Sequence, residues 1–278
     1  MSHPAHNNAL AFLGMFSTCL KYGTVVYPRG QEIREVQDYP LIISPQYPFM
    51  SFKNRDYKYE YFKKEMLWKL GASKYDESIK EHAKMWASVQ NPDGTFNSNY
   101  GQYWFGEQRG FWGVVEELAR DKDSRQAVIP MLNASHMTPQ TVDKVCTTAV
   151  GFRIRNDHLL MSVQMRSSDQ VFGLGTDIPT FSFLYRMVFA ALRGTYPSLS
   201  FGTLNISAMS SHIYSRHYNM IDKVLEEGLD GYEIVDMPFI DSMAEVLFLI
   251  STRGKYEKAP AEFRLANWLI EEAHDETV

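Results

Sequence analysis

Between Ala127 and Gly194 the hydrophobic pattern changes period, and that change restricts the fold more than any other feature. "AVIPML", "TTAVGFRIR" and "HLLMSVQM" alternate or run apolar over short lengths, as strands do, and Asn156–Asp157 sits where a hairpin turn belongs. "PTFSFLYRMVFAALRG" then shows an apolar side chain on nearly every face, which predicts a buried helix. A hairpin followed at once by a buried helix needs a sheet for the helix to cover. The chain therefore reads as α/β of the α+β type.

The flanks agree. Helical spacing runs over 8–22 up to Gly23, and "GTVVYPRGQEIREV" bends at Pro28 and Gly30. "YKYEYFKKEMLWKL", stopped at Gly71, "SIKEHAKMWASV" and "GFWGVVEELARD" are predicted helices. "SLSFGTLNISA" reads as a strand and "SSHIYSRHYNMIDKVLEEG" as a helix opening at its serines. Two more helices are expected over 240–252 and 260–272. Strict strand–helix alternation is absent, so the sheet should be mixed or antiparallel and a doubly wound nucleotide fold is not expected. The G-x-G at Gly173–Gly175 is read as no dinucleotide fingerprint, on the expectation that no helix opens there in a βαβ unit. The 278 residues show no repeat or long linker, so one domain is expected over 1–278, with a helical extension from about 229.

Composition removes several function classes. Net charge is −5 and the pI about 5.9, which does not indicate a surface for polymeric nucleic acid. Cys19 and Cys146 are the two cysteines, with no CxxC pair, so neither thiol-bound zinc nor a disulfide framework is expected, and no metal is assigned. No apolar run reaches the roughly 18 residues of a membrane helix. The start "MSHPAHNNALAFLGMF" lacks the basic region of a signal peptide, so a cytoplasmic, reducing location is expected.

Chemistry concentrates after the hairpin. Arg166, with Ser167 and Ser168 beside it, offers a guanidinium fork and hydroxyls suited to a phosphate, although a surface arginine at a strand end reads equally simply. Pairing across the turn brings Cys146 near Arg166. A fixed cation is expected to lower the thiol pKa and sharpen it as a nucleophile; the plain alternative is a buried structural cysteine.

These residues also form an ordered set. "VCTTAVGFRIRNDHLLMSVQMRSSDQVFGLGTD" resembles the catalytic segment of the thymidylate synthase superfamily, where a nucleophilic Cys opens a strand and Arg-Ser-x-Asp closes the hairpin. "EMLWKL", "MWASVQNPDGTFNSNYGQYW", "DKDSRQAV" and "SSHIYSRHY" resemble its other segments, in order, over about 8–225. The chain departs from the synthases at Thr147, at Met165 and, above all, at Asp177, where they carry Asn. Cys-Thr, Met-Arg-Ser-x-Asp, "NSNYG", "YSRH" and the final Asp resemble the branch of phage deoxycytidylate (dCMP) hydroxymethylases more closely.

The resemblance implies a thymidylate synthase-like mixed sheet and a homodimer formed through it. It also implies 5,10-methylenetetrahydrofolate as co-substrate. Cys146 would add to C6 of the pyrimidine, and Glu65 would organise water and protons at C5. Tyr100 and Asn99 would lie near the base, and Trp86, Asp169 and Gly173 on the folate side. His212 and Tyr214 would hold the sugar 3′-hydroxyl. Arg166, Ser167 and Ser168 would hold the phosphate, with Arg125 reaching from the partner subunit. Gln126 stands where a second arginine belongs, and Arg29 is the candidate to replace it. Read in isolation, Glu65 is a solvated helix acid and His212 a core or capping histidine.

Asp177 carries the choice of base. Uracil presents an N3–H donor and an O4 acceptor, which an amide complements; cytosine presents an N3 acceptor and a 4-amino donor. A carboxyl accepts from the amino group and, when protonated, donates to N3, where charge develops as the thiolate adds. The competing reading is an N-cap for the helix that follows. The expected activity is conversion of dCMP to 5-hydroxymethyl-dCMP. A dCMP C5-methylase, a hydroxymethylase of the ribonucleotide CMP, and a non-catalytic nucleotide-binding dimer stay open.

Overall fold

The computed structural model describes residues 3–55 and 57–271. Helix α1 (Pro4–Tyr22) leads into β1 (Thr24–Val26), a short turn of helix at Pro28–Gly30, and β2 (Ile33–Ile43). Helices α2 (Tyr59–Leu70), α3 (Ile79–His82), α4 (Met85–Val89), α5 (Gly101–Trp104) and α6 (Gly110–Arg120) follow. Next come β3 (Val128–Pro130), β4 (Thr147–Arg155), β5 (His158–Met165), β6 (Ser168–Asp169), α7 (Gly173–Leu192) and β7 (Ser200–Tyr214). Helices α8 (Tyr218–Glu227), α9 (Met243–Thr252) and α10 (Arg264–Ile270) close the described chain. Residue 272, the end of the last predicted helix, lies outside the described residues.

The strands form one mixed sheet in the order β1-β2-β7-β5-β4-β3, with β6 also on β7. The pairing is antiparallel except that β5 and β6 run parallel to β7. A parallel pair needs a crossover, and α7 supplies it. Asn156 and Asp157 both take positive φ (48° and 57°), as a tight hairpin requires, so β4 and β5 pair in one register from Arg155↔His158 to Ala149↔Gln164, with a bulge before Thr147↔Met165. Leu41, Ile43, Val150, Phe152, Met161, Val163, Leu204 and Ile206 point to one face of the sheet and join α1, α6 and α7 in a single core. Every residue from Ile178 to Ala190 is buried, which is why that stretch has no polar stripe. Val246, Leu249, Leu265 and Leu269 of α9 and α10 enter the same core.

Four expectations need correction. The predicted helix from the serines at 210–211 begins only at Tyr218; Ser210–Tyr214 continue β7, held by β2 through pairs such as Arg34↔Ile213. "SIKEHAKMWASV" is two short helices, split where Ala83 is extended (φ −151°, ψ 118°). A helix does open at the G-x-G: α7 starts at Gly173 and links parallel strands, although the sequence lacks the third glycine of a fingerprint. Asp177 is consequently inside α7, and Phe172 is the N-cap.

Candidate active site

The site is assembled from the hairpin, from α2 and from the first turns of α7. Cys146 lies immediately before β4 and Arg166 immediately after β5. The Arg166 backbone N–H donates to the Cys146 carbonyl at 2.8 Å, and its Nη2 donates to Cys146 Sγ at 3.5 Å. Arg166 is itself anchored: Nε donates to Val145 O (3.0 Å) and Nη2 to Lys144 O (2.6 Å). The loop ahead of the cysteine is held from "NSNYG" and "QNPDG". Ser98 donates to the Asp143 carboxylate from its N (2.7 Å) and its Oγ (2.5 Å). Asn91 Oδ1 accepts from the backbone of Val142 and Asp143, both at 2.9 Å. Asn97 donates to Asp143 O at 2.9 Å.

The expected lowering of the thiol pKa does not occur in the free protein. Burial pushes Cys146 up, Arg166 and the more distant Arg29 pull it down, and Asp177 and Asp143 push it up again. Desolvation of the thiolate is the largest effect, and the two acids add to it.

Helix α2 carries Tyr61, Glu65 and Lys69, spaced four residues apart on one side, toward Tyr100 and α7. Lys69 Nζ lies 2.6 Å from Glu65 Oε1 and donates to Thr180 Oγ1 at 3.1 Å. It also sits 5.0 Å from the centre of the Tyr100 ring. Tyr61 hydrogen-bonds Glu65 and accepts from Trp86 Nε1 at 2.9 Å. The Tyr100 hydroxyl accepts from Thr147 Oγ1 at 3.1 Å, which ties α5 to the residue after the cysteine. Asp177 is half-buried one turn before Thr180, in electrostatic range of Lys69, Glu65, Tyr100 and Cys146. Burial, with Glu65 and Asp169 adding to it and Lys69 opposing, raises its carboxyl from 3.8 to about 7. Pro179 shapes this turn. It has no N–H for the carbonyl of Gly175, and the Tyr57 hydroxyl donates there instead at 2.7 Å.

A thiol and an ion-paired glutamate thus both lie in electrostatic range of one carboxyl that holds a proton near neutrality. The thymidylate synthase family profile matches residues 12–241. The chain belongs to the thymidylate synthase family. It is a folate-dependent one-carbon transferase for C5 of a pyrimidine nucleotide, and the family uses methylenetetrahydrofolate as co-substrate. The deoxycytidylate 5-hydroxymethyltransferase of Enterobacteria phage T6 is 28% identical over 172 residues, 59% of this chain and 70% of the relative. The deoxyuridylate hydroxymethyltransferase of Bacillus phage SP01 is 25% identical over 263 residues, 85% of this chain and 65% of the relative. A thymidylate synthase of Fusobacterium nucleatum is 25% identical over 165 residues, 58% of this chain and 57% of the relative.

Within this thymidylate synthase fold the other predicted residues fall into groups. His212 and Tyr214 lie two apart on β7 with their rings 5.2 Å apart, and His212 opposes Asp169 across the sheet. Burial lowers the His212 pKa, so its ring is neutral at pH 7. Asp169 accepts from the N–H groups of Val171 (3.0 Å) and Phe172 (3.4 Å) at the opening of α7, close to Gly173. Arg29 is exposed, in the left-handed region (φ 53°), and in electrostatic range of Cys146 and His212. Ser167 is half-buried next to Arg166.

Four predicted residues are not brought to the cluster directly. Arg125 is exposed in a surface recess with Asp121, Asp123 and Gln126. Ser168 faces inward, beside Met15, Leu174 and Ser211. Asn99 is buried with its amide committed to Trp68 O, Ser73 O and Gly101 N. Trp86 packs on Trp68 and Phe96 and reaches the cluster through Tyr61. Among the described residues no group of three or more His, Cys, Asp or Glu could hold a metal, and no helix is long and apolar enough to cross a membrane.

Sequence reasoning missed Lys69, Tyr61 and Thr180. The four-residue spacing of Tyr61, Glu65 and Lys69 was a usable signal for one shared helix face. Nothing in the sequence marked Asp143 as the anchor of the cysteine loop.

Proposed function

We propose that this chain converts dCMP to 5-hydroxymethyl-dCMP. The observation that carries the reading is Asp177: a half-buried carboxyl, raised to about 7, in electrostatic range of Cys146. A carboxyl that keeps its proton near neutrality can donate to N3 of cytosine while its other oxygen accepts from the 4-amino group. An amide would instead complement uracil, accepting from N3–H and donating to O4.

The residues then divide the work. Arg166, in contact with Cys146 Sγ, stabilises the thiolate as it forms the bond to C6. The C5–C6 electron pair moves toward C5 and N3, and Asp177 supplies a proton at N3, leaving C5 nucleophilic. Methylenetetrahydrofolate supplies the one-carbon unit. Asp169 fits the folate side, because its two backbone hydrogen bonds leave acceptor positions for the donor edge of a pterin, with the exposed ring of Phe172 beside it. Gly173 leaves room there, and Trp86 backs that side through Tyr61. Glu65, fixed by Lys69 and Tyr61, orients the water that adds to the exocyclic methylene. Tyr100 packs near the base. His212 and Tyr214 hold the sugar hydroxyl, and Ser167, Arg166 and Arg29 hold the phosphate. Arg125 acts from a second copy of the chain. The outward positions Ile42 and Met209, both exposed on the face of the sheet opposite the core, support dimerisation through that face.

The test is product identity. The protein is incubated with methylenetetrahydrofolate and dCMP, CMP or dUMP, and products are weighed. The expected product is dCMP heavier by about 30 Da, one CH₂O, with no dihydrofolate formed. A gain of about 14 Da with dihydrofolate would mean methylation. Turnover of dUMP in preference to dCMP would favour the activity named for the Bacillus phage relative, and would overturn the assignment of Asp177.

A further inference from the structure

Asp177 sits on a turn of α7 where the helix lacks one of its own hydrogen bonds. A helical carbonyl accepts from the N–H four residues on; for Gly175 that residue is Pro179, which has no N–H and whose ring crowds the carbonyl. Asp177 lies midway between the two. The Tyr57 hydroxyl donates to the Gly175 carbonyl at 2.7 Å and takes the place of the missing donor. The ring behind that hydroxyl is held on three sides, by the edge-on Phe49 ring at 5.3 Å, the Tyr59 ring at 4.6 Å and the Arg55 guanidinium 4.9 Å from the ring centre. Arg55 is buried and tied down in turn, donating to Met50 O at 2.8 Å and to Val171 O at 2.5 Å, just ahead of α7. A β-carbon on residue 175 would sit 2.0 Å from Arg55 Nη2, so glycine is what lets the two segments come this close.

We infer that Tyr57 is a positioning residue: its hydroxyl stands in for the N–H that Pro179 lacks, and so sets how the turn over 175–179 presents Asp177. The inference rests on the proposed base-reading role of Asp177 for its effect on the reaction, whereas the brace itself involves no substrate. Gly175 is buried, so without Tyr57 its carbonyl has no donor from the helix and little access to solvent. The backbone would then shift to find a donor, and Asp177, two residues on, would shift with it. A carboxyl that must meet both N3 and the 4-amino group of cytosine tolerates little displacement.

Tyr57→Phe removes the hydroxyl and keeps the ring, and Pro179→Ala restores an N–H at position 179; the two are made singly and together. In the parent background Tyr57→Phe should lower kcat/KM for dCMP about tenfold, and the dCMP-to-dUMP ratio should fall with it. In the Pro179→Ala background the same change should cost less than about twofold, because the helix then supplies the donor itself. Amide hydrogen exchange across 173–178 in the nucleotide-free proteins is the second readout. It should quicken about tenfold on Tyr57→Phe in the parent, and change little when the same substitution is made beside Pro179→Ala. A Tyr57→Phe protein that melts earlier but keeps the kcat/KM and base preference of the parent would make the tyrosine a structural brace alone and overturn the inference. An equal loss in both backgrounds would overturn it too, since the hydroxyl would then act otherwise than by replacing that N–H. If the parent protein does not turn over dCMP while exchange responds as stated, the brace on α7 stands and the substrate reading falls; exchange that does not respond sinks the brace itself.

Discussion

Replacing Asp177 with asparagine removes a titrating group but keeps its shape, and the structure sets the size of the effect. The carboxyl is raised from 3.8 to about 7, mainly by burial. A rise of about three pH units, at about 1.4 kcal/mol each, disfavours the ionised carboxyl in the folded chain by up to about 4 kcal/mol. The sign follows from linkage. An acid whose folded pKa is raised contributes its full stability below pH 3.8, and that contribution is lost as pH rises toward 7. The asparagine variant has no such loss. Its stability relative to the parent should therefore improve by about 2.5 kcal/mol between pH 5 and pH 8, a ceiling because the side chain is only half-buried. Urea unfolding of both proteins at the two pH values, at one protein concentration, measures this. The same substitution should lower kcat/KM for dCMP relative to dUMP by on the order of 100-fold or more, since an amide can hydrogen-bond N3 of cytosine but cannot give it a proton. A stability difference that is flat from pH 5 to pH 8 would refute the claim that this carboxyl is held protonated. An unchanged base preference would refute its role in reading the base.

Two further outcomes test the assembly of the site. Gly101→Ala would place a β-carbon 1.5 Å from the Lys69 carbonyl oxygen, so it should destabilise the fold by about 3 kcal/mol or more in urea unfolding; an unchanged midpoint would mean that α5 does not pack against the end of α2. Cys146→Ser and Arg125→Ala should each be nearly inactive alone, whereas mixing after a brief unfolding and refolding should restore up to about a quarter of the activity, because half of the dimers then carry one intact site; no recovery would count against a site shared between two chains.

The hairpin, α2 and the buried α7 could be read from the sequence because each rests on local rules. Asn156 and Asp157 tolerate positive φ, Gly71 stops a helix, and an all-apolar run must be covered. The order of the family segments, and with it Cys146, Glu65, Arg166 and Asp177, was legible for the same reason: they are patterns of type and spacing along the chain. What "SSHIYSRHY" becomes was not legible, because that stretch has no period of its own and pairing with β2 makes half of it strand. Nor could the sequence show that Asn99 braces α2 or that Lys69 is buried against Glu65. The thiol of Cys146 illustrates the division most clearly. Its nearness to Arg166 followed from the turn, but its protonation depends on Asp143, Asp177 and the solvent they displace together, groups that come from separate segments. Residue type and spacing act along the chain, whereas solvation and charge act through space, so the sequence named the candidate groups and only the packed molecule decided which of them hold their protons.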